Sequence, residues 1–286
     1  MKKILLTLVL SLALLTANAQ QTYVPDDNFE QALINLGYDN VLDDYVATSS
    51  IDTITILDVS VQGISDLTGI EDFISIIGID CSGNNLSDLD LSDKQNLIVV
   101  LCVQNQLSSI NLSSCPMLMQ LSSDYNQLTT LDLSTNYNLR YLECGINQIT
   151  ELDLSNNPNL EELHCPENLL NCLNLKSGSN QNIYQITADD QDALALSCVE
   201  VDDLSYSNSN WVSNPDFEFD MGVNFSENCN NACSYSSTLI LDIVSEDKIL
   251  IKIVNILGEE VVVLEDNQIY FYIYDDGSVV KQLRIN

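Results

Sequence analysis

The sequence predicts a solenoid of stacked repeats that builds a parallel β-sheet, with a short helical cap before it and a small C-terminal β-sandwich after it. Three observations support this fold class. The middle of the chain has a 21-residue period, each repeat alternates apolar and polar residues, and the charge changes near residue 248. A fixed period of roughly 20 to 50 residues is the signature of a repeat architecture.

Residues 1–19 have the composition of a secretory signal peptide. Lys2 and Lys3 precede an apolar run from Ile4 to Leu15, and Ala17-Asn18-Ala19 supplies small residues for cleavage. The run is shorter than the roughly 20 residues that a membrane span needs. We therefore expect a mature chain that starts near Gln20 and is secreted or attached to the outer cell surface without inserting into the membrane.

The charge distribution excludes two kinds of partner. The net charge is −33, and residues 20–247 hold 36 acidic side chains but three basic ones, whereas residues 248–286 hold six acidic and four basic ones. Such a step is typical of a domain boundary. A body this acidic lacks the basic surface that nucleic-acid binding requires, and anionic lipid repels it. We therefore expect neither nucleic acid nor a lipid surface as a partner.

Five consecutive segments align without a gap and share the pattern LxxLxCxxNxLxxLxL. They begin at Ile76, Leu97, Leu118, Leu139 and Leu160, and a looser copy precedes them from Ile54. One repeat alone cannot bury its apolar edge, so neighbouring repeats must stack. The pattern resembles the leucine-rich repeat, in its short bacterial 21-residue class, over residues 54–190. The resemblance implies a right-handed solenoid whose LxxLxC segments form a parallel sheet on the concave face.

Two columns of residues recur at fixed positions in these repeats. Alternation along a strand turns the leucine and cysteine of each LxC segment inward. A buried thiol behaves as a small apolar group, and cysteines in register run parallel instead of converging as a disulfide requires. We therefore interpret the cysteines as core packing, with Ser123 in their place in the middle repeat. We expect the asparagines to bond the backbone of their own and the adjoining repeat. The columns are Cys81, Cys102, Cys144 and Cys165, and Asn84, Asn105, Asn126, Asn147 and Asn168.

Residues 20–53 predict a cap for the first apolar end of the solenoid. The pattern indicates one helix, with Asp27 as N-cap, Glu30 at the capping-box spacing and Gly37 as the stop. Its apolar face would consist of Phe29, Leu33 and Leu36. The segment resembles the N-terminal caps of secreted leucine-rich-repeat proteins from the Bacteroidetes.

Residues 191–233 break the period and predict the second cap. They contain the only tryptophan, Trp211, and Cys198 and Cys229 bracket the aromatic part of the segment. In an exported chain this favours a Cys198–Cys229 disulfide, with Cys229–Cys233 as the alternative pairing. Cys115 and Cys172 remain unassigned.

Residues 234–286 predict a polar linker followed by a small β-sandwich. Turn residues separate about five strands from Ser237 onward. The segment resembles the C-terminal sorting domain of the type IX secretion system, a Bacteroidetes export route, over residues 237–286. Its closest features are the turn at residues 255–258 and the hairpin at residues 274–281. The resemblance implies an address that the type IX machinery reads; an ordinary accessory β-domain is the alternative.

The sequence favours binding over catalysis. It contains no P-loop, GxGxxG, HExxH or GxSxG motif, and no nucleophile is arranged around its single histidine, His164. We expect no enzyme activity, no cofactor and no metal. The predicted function is a secreted or cell-surface binding or adhesion module for an extracellular protein or glycan. The alternative is an accessory or degenerate extracellular polymer-degrading enzyme with a site around His164.

One group of outward strand positions stands out as a candidate ligand site. In the second aligned repeat, three apolar residues face solvent on one strand, and aromatic residues lie one or two repeats away. Exposed apolar groups with an acidic rim often mark interaction sites. The predicted anchor is Val99, Leu101, Val103, Tyr125 and Tyr141, and the predicted polar rim is Glu143, Glu162 and His164.

Overall fold

The computed structural model describes residues 20–191, 196–229 and 233, and the backbone of three further strands at 250–255, 268–274 and 279–284. The chain forms two compact units, Met1–Cys233 and Ser234–Asn286. The signal peptide expected at residues 1–19 and the start of the β-sandwich expected from Ser237 onward lie outside the described residues.

Short strands dominate the described secondary structure. The strands of the first unit are β1 (Gln21–Tyr23), β2 (Tyr45–Ala47), β3 (Ile56–Asp58), β4 (Gly78–Asp80), β5 (Asp88–Asp90), β6 (Val99–Leu101), β7 (Ser109–Asn111), β8 (Gln120–Ser122), β9 (Tyr141–Glu143), β10 (Glu151–Asp153), β11 (Glu162–His164), β12 (Cys172–Asn174), β13 (Gln185–Ala188), β14 (Cys198–Glu200), β15 (Phe217–Phe219) and β16 (Asn224–Ser226). The second unit contributes β17 (Leu250–Asn255), β18 (Gln268–Tyr274) and β19 (Val279–Arg284). The α-helices are α1 (Asp27–Asn35), α2 (Thr48–Ile51) and α3 (Leu204–Asn210), and 3₁₀ turns occupy Ile70–Asp72 and Asn180–Asn182.

An eight-stranded parallel sheet, the front sheet, runs the length of the solenoid in the order β3, β4, β6, β8, β9, β11, β13, β15. Each strand pairs with the equivalent strand of the next coil, so that Val99, Gln120 and Tyr141 lie in register. Because each LxxLxC segment supplies one short strand and leaves its apolar edge open, the coils are stable only when stacked. This arrangement confirms the predicted repeat solenoid.

A second set of strands, the back strands, follows the front strand in every described coil except those of β3 and β8. These strands form two separate parallel sheets, β5-β7 and β10-β12-β14-β16. Between the front sheet and the back strands lies a continuous core of leucine, isoleucine and valine, with Cys81, Cys102, Cys144 and Cys165 fully buried in it. The front sheet is thus continuous and the back strands are divided into two sheets, although front and back strands come from the same repeat.

The N-terminal cap has its helix, but its N-cap residue is Asp26 and not the predicted Asp27. Asp26 has extended backbone, and its Oδ1 accepts bonds from the amides of Asn28 and Phe29 at 3.0 Å each. Its Oδ2 accepts from Ser65 of the first coil, so this carboxylate joins helix and solenoid at once. Glu30 does not close a capping box, because its Oε1 accepts from two amides of the following loop.

The apolar face of α1 is narrower than the sequence suggested. Phe29 and Leu33 are fully buried, whereas Leu36 is largely exposed. Leu36 is the C-cap residue, and Gly37 follows it at a φ of 82° that ends the helix. The chain therefore turns away from the core before Leu36 can reach it.

The segment predicted as the second cap continues the stacking. Strand β15 extends the front sheet, and β14 and β16 extend the back strands. The fully buried Trp211 packs its ring against Phe217 and Phe225 at centroid distances of 5.3 and 5.5 Å. The larger coil at this end thus replaces the leucine core by an aromatic one.

Two disulfides fasten the end of the first unit to its back strands. One joins Cys198 to Cys229, the pair favoured from the sequence. The other joins Cys172 to Cys233, which the sequence did not assign. Cys172 and Cys198 begin neighbouring strands, so the chain from Cys229 to Cys233 is fixed at two adjacent points.

The described part of the second unit is a three-stranded antiparallel sheet in the order β17-β18-β19. The hairpin predicted around residues 274–281 corresponds to the antiparallel pair β18 and β19. The turn predicted at residues 255–258 lies mostly outside the described residues.

Candidate binding site on the front sheet

A ladder of asparagines, the front ladder, holds the front sheet in shape. Each asparagine follows a front strand and bonds two coils through both ends of its amide. The Nδ2 of Asn126 donates to the carbonyls of Cys102 and Ser123 at 3.0 Å, and its Oδ1 accepts the amide of Leu107 at 2.9 Å. Asn84, Asn105, Asn147 and Asn168 are bonded in the same way.

The front ladder continues for one coil beyond the last repeat that the sequence pattern identifies. Gln191 takes the asparagine position in the following coil, where its Nε2 donates to the carbonyl of Cys165 at 3.0 Å and its Oε1 accepts the amide of Leu170 at 3.1 Å. The longer side chain compensates for the greater length of that coil. The outward side chains of the front sheet are therefore carried on a backbone that is bonded coil to coil.

Three predicted anchor residues lie side by side on one coil of the front sheet. Val99, Leu101 and Val103 alternate with the buried Val100 and Cys102 along the chain and are themselves half-buried. Tyr125 lies at the sheet edge in the next coil with 51% of its surface exposed. The structure thus brings these four predicted residues onto one face.

Two further apolar residues belong to this face and were missed. Ile56 is 62% exposed and Val61 is 76% exposed. Ile56 Cδ1 lies 3.1 Å from the point where a Cβ on Gly78 would stand, and Val61 Cγ2 lies 3.0 Å from the equivalent point on Gly83. Glycines of the second coil therefore make room for side chains of the first. The looser copy from Ile54 carried this signal, since its outward positions follow the same alternation.

The C-terminal part of the same face is polar and internally bonded. Tyr141 donates its hydroxyl to Glu161 at 3.1 Å, and the guanidinium of Arg140 binds the same carboxylate and lies 5.7 Å from the Tyr141 ring centroid. The Arg140 bond holds the pKa of Glu161 below its ordinary value. Tyr184 donates to Glu162 at 3.0 Å. Tyr141, predicted as an apolar anchor, is therefore also the centre of a polar cluster.

Asp124 lies where the apolar and polar groups meet. Burial raises its pKa above the ordinary value, and the nearby Glu143 carboxylate adds to the rise. The amide of Gly145 donates to Asp124 Oδ1 at 2.7 Å, and His164 offsets part of the rise. The predicted rim residues Glu143 and His164 are thus electrostatic neighbours of Asp124, although no hydrogen bond links them to it.

The thiols of the cysteine column are not available as nucleophiles. The thiols nearest the face are buried, and burial raises the pKa of Cys81 to about 12 and that of Cys144 well above its ordinary value. Such thiols are inert at neutral pH. Among the described residues no group of three or more His, Cys, Asp or Glu side chains is placed to hold a metal ion. In the same part of the chain, no helix is long and apolar enough to cross a membrane.

Fold and face together define a leucine-rich-repeat solenoid with a buried cysteine column, and its structural neighbours are internalin-type leucine-rich-repeat proteins. The functional domain of InlJ from Listeria monocytogenes, described as including a cysteine ladder, is similar with 28% identity and a TM-score of 0.56. The match covers 74% of this chain and 49% of that one, so this chain spans about half of the InlJ domain. Internalin C2 from the same organism aligns with 20% identity over 74% of this chain and 100% of its own, with a TM-score of 0.43. No protein-family model matches the chain, and no curated protein matches its sequence.

Proposed function

We propose that this protein is a secreted or cell-surface binding module that holds an extracellular protein or glycan on its front sheet. The observation that carries the proposal is the half-buried trio Val99, Leu101 and Val103 beside the exposed Tyr125. A sheet built for stability alone would place polar side chains there. Tyr141 completes this anchor, and Glu143, Glu162 and His164 form the polar rim.

The test uses the mature chain and an array of extracellular proteins and oligosaccharides. Replacing both Leu101 and Tyr141 with alanine should weaken binding of any captured ligand at least tenfold, about 1.4 kcal/mol. The matched control replaces Met117 and Tyr137 by alanine; both are about half exposed and lie outside the front strands. If both double variants retain full affinity, the ligand does not bind at the proposed face.

We further propose that the second unit directs export by the type IX route of the Bacteroidetes. The support is the resemblance of residues 237–286 to that sorting domain, together with the charge step near residue 248. Deleting Thr238 to Asn286 should trap a folded first unit in the periplasm, as read by cell fractionation. Normal delivery of the truncated chain to the cell surface would contradict this route.

A further inference from the structure

In each of six consecutive coils, one residue just after the front strand adopts a left-handed backbone conformation and donates its amide to the next coil; Asp190, which precedes Gln191 in the seventh coil, has the same conformation at a φ of 52°. We call this row the ridge, and each member directly precedes the front-ladder position of its coil. The φ values lie between 49° and 69°. The ridge consists of Val61, Gly83, Gln104, Tyr125, Ile146 and Glu167.

Most ridge residues are poorly suited to this conformation. Left-handed φ is natural for glycine and tolerated by asparagine and aspartate, but β-branched side chains fit it worst. Val61 and Ile146 nevertheless adopt φ values of 55° and 52°. Only Gly83 is of the favoured type, so the ridge accumulates conformational strain along the sheet edge.

Backbone bonds to the next coil hold the ridge in place. The amide of Val61 donates to the carbonyl of Ser82 at 2.9 Å, and that of Ile146 donates to Pro166 at 2.9 Å. The other four ridge amides donate to the next coil in the same way. Strain of this kind persists only where the surrounding structure over-determines it. The ridge is therefore a pre-organised row of side chains spaced about 4.8 Å apart.

Most ridge side chains bury little surface that could offset this strain. Val61 is 76% exposed and Tyr125 is 51% exposed, Gln104 and Glu167 are also exposed, and Ile146 is half-buried. Glycine or asparagine at the exposed positions would relieve strain with little loss of buried surface. Strained residues retained without a folding benefit cluster at ligand-binding sites.

The surroundings of the ridge identify the chemistry of a partner. Its apolar members continue into the exposed Ile56, and the adjacent outward positions carry carboxylates: Asp58, Asp80, Asp124 and Glu143. In the described front strands and ridge, His164 is the one basic residue, and Arg140 beside them is paired with Glu161. Branched aliphatic side chains bury well against other apolar side chains and lack the hydrogen-bonding groups that a sugar needs.

Resting on the binding function proposed above, we infer that the ridge grips a protein segment that presents both apolar and Lys or Arg side chains. Apolar ridge residues supply the buried contact, and the carboxylates beside them select positive charge. Because the ridge is rigid before binding, little conformational entropy is lost when the partner docks.

The test measures binding of a fluorescent 14-residue peptide of alternating lysine and leucine to the mature chain by anisotropy. The variant carrying V61G and I146G should bind it at least tenfold more weakly, yet melt close to the parent temperature, because relief of strain offsets the apolar surface that Ile146 buries. A peptide of alternating glutamate and leucine should not bind. Equal binding of the two peptides, or no binding of the lysine peptide, would overturn the partner assignment.

A control variant places glycine at two left-handed positions outside the ridge. Asp93 and Ser114 have φ values of 61° and 59° on the turn beyond the back strands. D93G with S114G should likewise change the melting temperature little and leave peptide affinity unchanged. If V61G/I146G keeps full affinity while L101A/Y141A loses it, the ridge is not the contact although the front sheet is. If neither variant loses affinity, the proposed binding function fails as well.

Discussion

The front and back of each coil both use a side chain to bond the backbone of the neighbouring coil, but they differ in how uniform that residue is. The position after each front strand is an asparagine in five consecutive coils. The equivalent position on the back of the coil forms the back ladder, which is chemically mixed. Its members are Lys94, Cys115, Asn136 and Asn157. Each donates to carbonyls of the preceding coil or turn: Lys94 to Ile70 and Glu71, Cys115 to Leu91, Asn136 to Leu112 and Cys115, and Asn157 to Leu133 and Asn136.

The difference lies in the acceptor side of the amide. A front asparagine donates and also accepts, whereas the Oδ1 atoms of Asn136 and Asn157 are buried without a partner. The back position therefore requires only a donor, which a lysine, a thiol or an amide can each supply. The front position requires both a donor and an acceptor, which explains why its residue type hardly varies. The front sheet is correspondingly continuous, and the back strands form separate sheets.

The disulfides give the largest expected effect in this comparison. The bonds close separations of 61 and 31 residues on the back strands, and removal of a bond of this kind costs about 4 kcal/mol in the chain-entropy account. Reduction should therefore loosen β12 and β14 before β9 and β11. Hydrogen exchange with and without reductant would read this directly. If reductant lowered the hydrogen-exchange protection of front and back strands equally, the two sides of the solenoid would unfold as one unit and the prediction would be wrong.

The two ladders should differ in what their amides contribute. Asn126→Ala removes the two bonds donated to Cys102 and Ser123 and leaves the buried amide of Leu107 without an acceptor, so we expect a loss of about 3 kcal/mol. Asn136→Ala removes two donated bonds but also an unpartnered buried oxygen, so about 1 kcal/mol is expected. Urea unfolding of both variants measures the difference. Equal losses would show that the acceptor bond contributes nothing.

The cysteine column behind the front sheet should tolerate a hydroxyl. In the middle coil Ser123 donates its hydroxyl to the carbonyl of Glu143 at 3.2 Å. The equivalent acceptor for residue 144 is the carbonyl of His164, so Cys144→Ser should cost no more than about 1 kcal/mol in urea unfolding. The reciprocal variant Ser123→Cys serves as control and should be neutral or slightly stabilising. A loss above about 3 kcal/mol for Cys144→Ser would show that no bond forms.

The smallest effect is expected at the back ladder itself. Cys115 donates through its thiol to the carbonyl of Leu91 at 3.1 Å. An asparagine at this position would reach the same carbonyl as Asn136 and Asn157 reach theirs, so Cys115→Asn should change the free energy of unfolding by less than about 0.5 kcal/mol. In thermal unfolding, a loss of about 2 kcal/mol or more would contradict the view that this position needs only a donor.

The sequence alone predicted the structure wherever the 21-residue repeat determines it. The 21-residue period predicted the stacked sheet, and the LxC alternation predicted the buried face, because both follow from the geometry of a strand. It was insufficient where contacts join segments distant in the chain. Cys172 pairs with Cys233 because β12 and the end of the unit meet on the back strands, and no spacing in the sequence encodes that meeting. The N-cap of α1 is Asp26 and not the predicted Asp27, and the same carboxylate accepts a bond from Ser65, 39 residues away in the chain. The contribution of Ile56 and Val61 to the candidate site depends on glycines one coil away.

The bond between Cys172 and Cys233 also determines how the protein carries mechanical load. A force applied to the chain beyond Cys233 passes through the sulfur atoms to Cys172 and enters the solenoid at β12. The chain between these two cysteines, with the aromatic coil around Trp211, lies outside the path of tension. Its 61-residue span, about 200 Å when fully extended, cannot lengthen while the bond is intact. Under tension the terminal coils would therefore keep their fold, and the first coils able to yield would lie on the N-terminal side of β12.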